Sequence, residues 1–220
     1  HLKQLPFHRV KIDRSFIVDV TRSVEDAAIA LAIIGIARSL RLKAVGEGVE
    51  TQAQLKFLTQ NHCDEMQGHF FSPPVDAASF VEFLRQGRKA VIPDAEQVDR
   101  RNLLIVDDES GICNALTRLL RRDGYHIITA NSGAEALDLL AMHPVHVILS
   151  DQRMPGMSGT ELLDKVKNLY PDTVRIILSG YTDLNVVTEA VNRGAVFRFL
   201  TKPWDDAMLR DQVRDAFSHY

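Results

Sequence analysis

The sequence predicts an α/β protein whose second half folds as a doubly wound parallel sheet. Three observations predict it. Short apolar runs recur at 103–108, 126–130, 145–151, 174–179 and 196–202, a length suited to strands. Stretches of helical period lie between them, which is the pattern of repeated strand–helix units. Runs such as Val147, Ile148 and Leu149 do not alternate with polar residues, as expected of strands covered on both faces.

The elements follow in order. Three strand candidates open the chain: Arg-Val-Lys-Ile-Asp at 9–13, Leu-Lys-Ala-Val-Gly-Glu at 42–47 and Asp-Glu-Met-Gln at 64–67. Each precedes a helical stretch, at about 24–40, 51–60 and 76–86, and Ala27, Ala28, Leu31, Ile34 and Leu40 make the first strongly apolar. Residues 87–101 are charged and without clean period, and they read as a linker. The second half then alternates. Ile112, Leu116, Leu119 and Leu120 set its first helix, with Gly124 where that helix should stop. Ala136, Leu137, Leu139 and Leu140 set the second; Leu162, Leu163, Val166 and Leu169 the third. Val186, Val187, Ala190 and Val191 set the fourth, with Gly194 as its stop. Trp204 falls at the start of a last helix and reads as a packed aromatic.

Chemistry collects at the strand ends. One run ends in Asp107 and Asp108, another in Asp151, a third in Ser179 and a fourth in Lys202 followed by Pro203. In a parallel sheet these ends share one edge, where ligands of open α/β folds bind. Acids, a hydroxyl and a lysine there suit a divalent cation and a phosphoryl group. Taken singly, Asp108 also suits a helix cap, Ser179 a turn and Lys202 a solvated position. The ordered set is what selects the edge site.

Composition bounds the rest. A chain of 220 residues holds one or two domains. Lys and Arg number 26 against 29 Asp and Glu, and the acidic surplus lies in the second half. A nucleic-acid patch is therefore not expected, and Arg118, Arg121 and Arg122 read as a solvated helix face. The apolar stretch at 27–36 is too short and too charge-flanked to span a membrane, so a cytoplasmic location is expected. Cys63 and Cys113 show no metal spacing and read as reduced, buried thiols.

Residues from about 101 to 217 resemble a response-regulator receiver domain. The resemblance rests on Asp107-Asp108, Asp-Gln-Arg-Met-Pro-Gly-Met-Ser-Gly at 151–159, Ser179 and Lys202-Pro203. It implies a flavodoxin-like five-stranded sheet of order 2-1-3-4-5 over residues 102–220. It implies that Asp151 is the phosphoacceptor and that Asp107, Asp108, Asp151 and the backbone carbonyl of Arg153 hold Mg2+. Ser179 and Lys202 would contact the phosphoryl oxygens, Phe199 would be the aromatic switch, and the Lys202–Pro203 bond would be cis. The implied partners are a sensor histidine kinase or phosphotransfer protein, with a homodimer possible through the face that phosphorylation reshapes.

Residues 1–86 resemble the C-terminal part of an EAL domain, a cyclic di-GMP phosphodiesterase built on a TIM-type barrel. Leu-Lys-Gln-Leu-Pro-Phe at 2–7, Lys11-Ile-Asp13, Glu-Gly-Val-Glu-Thr at 47–51, Gln67-Gly68 and Phe-Ser-Pro-Pro at 71–74 carry the resemblance. It implies that Lys11 lies near the catalytic water and metals, with Asp13 in the same motif. Glu47 would activate or position the water, and Gln67 would contact the site. An intact site of this kind would use Mg2+ or Mn2+. His62 and His69 flank Cys63, but the resemblance explains that stretch without zinc.

Within residues 1–86 neither the Glu-Ala-Leu motif nor the Asp-Asp-Phe-Gly-type loop that supplies metal carboxylates occurs; Glu135-Ala136-Leu137 lies in the second half, outside the resemblance. A full barrel takes roughly 250 residues, so residues 1–86 are expected to be an incomplete barrel with two open edges and an uncovered apolar face. The expectation is a piece of a longer protein, inactive on cyclic di-GMP by itself. Two functions follow. One is a phosphorelay receiver that regulates an attached cyclic di-GMP phosphodiesterase. The other is a non-catalytic signalling adaptor in which the EAL remnant is a binding or dimerisation surface.

Overall fold

The computed structural model describes residues 7–86, 100–180 and 193–220. The chain divides into two compact units, His1–Glu96 and Gln97–Tyr220. The fourth helix expected in the second half, most of the linker and nearly all of the motif at 2–7 lie outside the described residues.

In the first unit, β1 (Arg9–Ile12), α1 (Val24–Ser39), β2 (Lys43–Glu47), α2 (Gln52–Gln60), β3 (Glu65–Gln67) and α3 (Ala77–Arg85) succeed one another. The strands pair in parallel in the order β1-β2-β3. Caps set the helix starts. Ser23 accepts from the Asp26 amide at the start of α1. Thr51 and Gln54 form a reciprocal capping box on α2, and Asp76 caps α3. Successive strand residues face opposite sides. Ile12, Ala44 and Gly46 share the side on which Leu58 of α2 rests, and a Cβ on Gly46 would meet that leucine.

The opposite side differs from the uncovered apolar face expected. It carries Arg9, Lys11, Lys43, Glu47, Glu65 and Gln67, with Val45 the one apolar member. Arg9 and Lys43 both pair with Glu65. Val45 is flanked in register by Lys11 and Glu65 and is buried, consistent with cover by their long side chains. An edge-to-edge ladder of opposite charges is a face that water tolerates.

In the second unit, β4 (Asn102–Val106), α4 (Ser110–Leu120), β5 (His126–Ala130), α5 (Gly133–Met142), β6 (Val147–Asp151), α6 (Gly159–Leu169), β7 (Val174–Ser179), β8 (Arg198–Thr201) and α7 (Asp206–His219) follow. The sheet is wholly parallel, in the order β5-β4-β6-β7-β8. Counted within the unit this is 2-1-3-4-5, the flavodoxin-like order. A short 3-10 turn prolongs α4, and Gly124 ends it at φ 79°, a left-handed conformation that glycine adopts without strain.

Alternate residues of one strand enter two cores. Leu104, Val106 and Ile148 pack with Leu137, Leu140, Leu162 and Val166 of α5 and α6. Leu103, Ile105, Val147 and Leu149 pack with Leu116, Leu120, Leu209 and Val213 of α4 and α7. Full burial of each leucine or isoleucine contributes about 1.5–3 kcal/mol before entropy is counted. This two-faced burial explains the absence of alternation in the strand sequences. Among the described residues, no helix is long and apolar enough to cross a membrane.

Candidate functional site

The C-terminal ends of β4, β6, β7 and β8 bring the predicted edge residues together. Lys202 is the hub. Its ammonium lies 2.8 Å from Asp107 Oδ2 and 2.5 Å from Asp151 Oδ1. Both carboxylates are buried, and the lysine side chain is 24% exposed. Burial alone would lower the Lys202 pKa. The hydrogen bonds and charges of Asp107 and Asp151 outweigh it, and the ammonium is held above the usual lysine range.

Backbone amides complete the carboxylate environment. Asp107 Oδ1 accepts from the Glu109 amide at 2.9 Å, and Asp151 Oδ2 accepts from the Arg153 amide at 2.6 Å. Lys202 reaches its position because its own amide donates to the Ser179 carbonyl at 2.8 Å, continuing the β7–β8 pairing. The Lys202–Pro203 peptide is cis. Ser179 ends β7 fully buried, its hydroxyl donating to the Gly180 carbonyl at 3.2 Å. Asp108, next along the chain, is exposed. Phe199 on β8 is 45% exposed.

The donor chemistry fits Mg2+. The two buried carboxylates of Asp107 and Asp151 and the exposed Asp108 are hard oxygen donors, and Mg2+ takes one or two carboxylates while keeping waters. Among the described residues no group of three or more His, Cys, Asp or Glu side chains stands ready to hold an ion. The ammonium of Lys202 lies between the carboxylates of Asp107 and Asp151.

The first unit gathers its own predicted residues in part. Lys11 Nζ lies 2.6 Å from Glu47 Oε1, and the Gln67 amide donates to the same oxygen at 3.0 Å. These three come from β1, β2 and β3 on the charged side of the sheet. Asp13 is placed otherwise. It caps the 3-10 turn at Arg14–Phe16, accepting from the Ser15 amide at 2.9 Å and its hydroxyl at 2.7 Å. A cleft of about 520 Å³ beside Gln67 is lined by Arg14, Glu50, His69, Pro73 and Phe80, among others. Cys63 and Cys113 are free and buried, and burial raises both thiol pKa values.

Sequence reasoning gave no role to Gln152. It is buried between Asp151 and the start of α6 and hydrogen-bonds there through both its main chain and its side chain. Its signal was a long amide inside the loop motif at 151–159, where a turn residue is the usual choice.

Comparison with known proteins supports the assignment of both halves. The response regulator receiver domain matches residues 103–214 and the EAL domain matches residues 1–74. The hydrogenase transcriptional regulatory protein HoxA of Cupriavidus necator is 43% identical over 114 residues, covering 52% of this chain and 23% of HoxA. The cyclic di-GMP phosphodiesterase NbdA of Pseudomonas aeruginosa is 46% identical over 100 residues, covering 46% of this chain and 13% of NbdA. This chain thus spans about a quarter or less of the length of the curated relatives it matches. The signal receiver domain of an HD domain-containing protein from Pseudomonas fluorescens Pf-5 superposes with a TM-score of 0.53 at 37% identity, covering 55% of this chain and 97% of that one. With the receiver match spanning half its length over a sheet of order 2-1-3-4-5, the chain belongs to the response regulator receiver domain family, preceded by a segment that matches the EAL domain.

Proposed function

We propose that residues 102–220 accept a phosphoryl group on Asp151 in a two-component phosphorelay. The carrying observation is the Lys202 ammonium bridging two buried carboxylates at the sheet's C-terminal edge. A carboxylate oxygen of Asp151 attacks the phosphorus of a phosphohistidine on a sensor kinase or phosphotransfer protein. The new O–P bond forms as the P–N bond breaks, and the imidazole departs with the electron pair of that bond. Such transfer needs positioning and charge neutralisation more than covalent help. Asp107, Asp108, Asp151 and the Arg153 carbonyl would hold Mg2+. Held by those residues, Mg2+ would supply positive charge against the negative charge of the transferring phosphoryl group. Lys202 and the Ser179 hydroxyl then serve the phosphoryl oxygens, and Phe199, exposed beforehand, turns inward to reshape the face of β8 and α7. That face is the candidate for a homodimer. The donor and the receiver would meet in the cytoplasm.

The phosphorylated receiver would regulate an attached cyclic di-GMP phosphodiesterase, of which residues 1–86 form a TIM-barrel segment. The Lys11–Glu47–Gln67 group supports that reading. A second reading is a non-catalytic adaptor in which residues 1–86 serve only as a binding or dimerisation surface; a Glu-Ala-Leu motif and an Asp-Asp loop encoded upstream would exclude it.

Intact-mass spectrometry after acetyl phosphate and Mg2+ tests the core of the proposal. Wild type should gain one phosphoryl group, and Asp151→Asn, close in shape, should gain none while keeping its circular dichroism. Uptake by the variant at the wild-type rate would remove Asp151 from the role.

A further inference from the structure

Residue 152 is stitched on three sides. Its amide donates to the Leu178 carbonyl of β7 at 2.8 Å, and its carbonyl accepts from the Gly159 amide at 3.0 Å. Its side-chain Oε1 accepts from the Thr160 amide at 3.1 Å, and its Nε2 donates to the Thr160 hydroxyl at 3.3 Å. Ser158 caps α6 through the Glu161 amide. The Thr160 amide, one of the orphan donors of a helix start, is therefore served by Gln152. The fit is close beneath: a Cβ on Gly159 would collide with the Asp151 carbonyl. The Gln152 side chain thus pins the far end of the loop that begins at the proposed phosphoacceptor, and Arg153, whose amide lies on Asp151 Oδ2, is the next residue.

We infer that Gln152 is a positioning residue for phosphoryl transfer. By tying residue 152 to the first turn of α6, it fixes where the Arg153 main chain stands against the Asp151 carboxylate. It rests on the phosphorelay reading and touches no reacting atom itself. Small misplacements of a reacting group carry large rate penalties, whereas a purely structural role would alter stability and leave the rate per folded molecule alone.

The test measures acetyl phosphate uptake per folded molecule, beside amide hydrogen exchange, in the full chain. Gln152→Leu removes both side-chain bonds. It should lower the maximal rate about tenfold, leave half-saturating acetyl phosphate unchanged, and speed exchange at the Gly159 and Thr160 amides. Gln152→Glu keeps an acceptor at a helix N-terminus, where a carboxylate is tolerated, and should restore most of the rate. If the leucine variant fails to fold, Gln152→Asn retains the amide, is one methylene too short to reach Thr160, and should show the same slowing. An unchanged maximal rate in the folded variant, with wild type active in the same run, overturns the inference and spares the phosphorelay reading. A wild type that takes up no phosphoryl group overturns that reading and this inference with it.

Discussion

At His146 the Nδ1 atom accepts the Asn102 amide at 3.1 Å, and the ring meets Tyr220 edge-on at a centroid distance of 4.4 Å. Burial holds this imidazole below the usual histidine range, and an accepting Nδ1 also requires the neutral ring. A group whose folded pKa is depressed contributes stability that is present above its unfolded pKa, near 6.5, and lost as pH falls through the folded value. The receiver should therefore lose stability on acidification through that window. Urea midpoints on either side of it, compared with His146→Gln, check this; equal slopes in the two proteins would exclude His146 as the source. Other residue placements differ in how far the sequence exposes them. The placement of Asp107, Asp151, Ser179 and Lys202 at one edge was legible because each closes an apolar run, and strand ends in a parallel sheet share an edge. Asp13 was not, because its motif neighbours Lys11 while its carboxylate is spent on Ser15 two residues on. Gln152 was not, because its partners Leu178 and Thr160 meet it only after folding.

Elements were the most legible scale. The runs at 126–130 and 174–179 are strands over those residues, and among the described residues the other elements whose bounds were expected differ by one or two residues at the ends, where caps take over. The missed property was a face. Arg9-Val-Lys-Ile alternates with period two, and Lys43-Ala-Val-Gly-Glu does so but for Val45, so a largely polar side was readable from alternation and was not to be had from barrel incompleteness. Caps carry a testable share of element stability. At α6 the Ser158 hydroxyl accepts the Glu161 amide while the Glu161 carboxylate accepts the Ser158 amide at 2.8 Å. Ser158→Ala should cost about 1 kcal/mol, read as a shift in the denaturation midpoint at unchanged slope. No shift would mean that Gln152 and water serve that helix start unaided.

For the whole chain, the first unit holds Lys11, Glu47 and Gln67 together, and residues 1–86 contain neither the Glu-Ala-Leu nor the Asp-Asp-Phe-Gly motif expected to supply metal carboxylates for two-metal phosphodiester hydrolysis. The purified 220-residue chain should leave cyclic di-GMP intact with either Mg2+ or Mn2+, followed by chromatography of the nucleotide; turnover would require metal ligands other than those absent motifs. The two-part organisation was legible because the half-sequences carry different motifs in order. The strand order itself rests on packing both faces of a strand that is apolar from Leu103 to Val106. That strand, β4, sits between β5 and β6, although it is made before either. During synthesis its Leu103–Val106 backbone on the β6 side must wait, unpaired and apolar, until residue 147 and beyond leave the ribosome. Nascent chains stalled within that interval are thus the species of this protein most exposed to misassembly and most in need of chaperones.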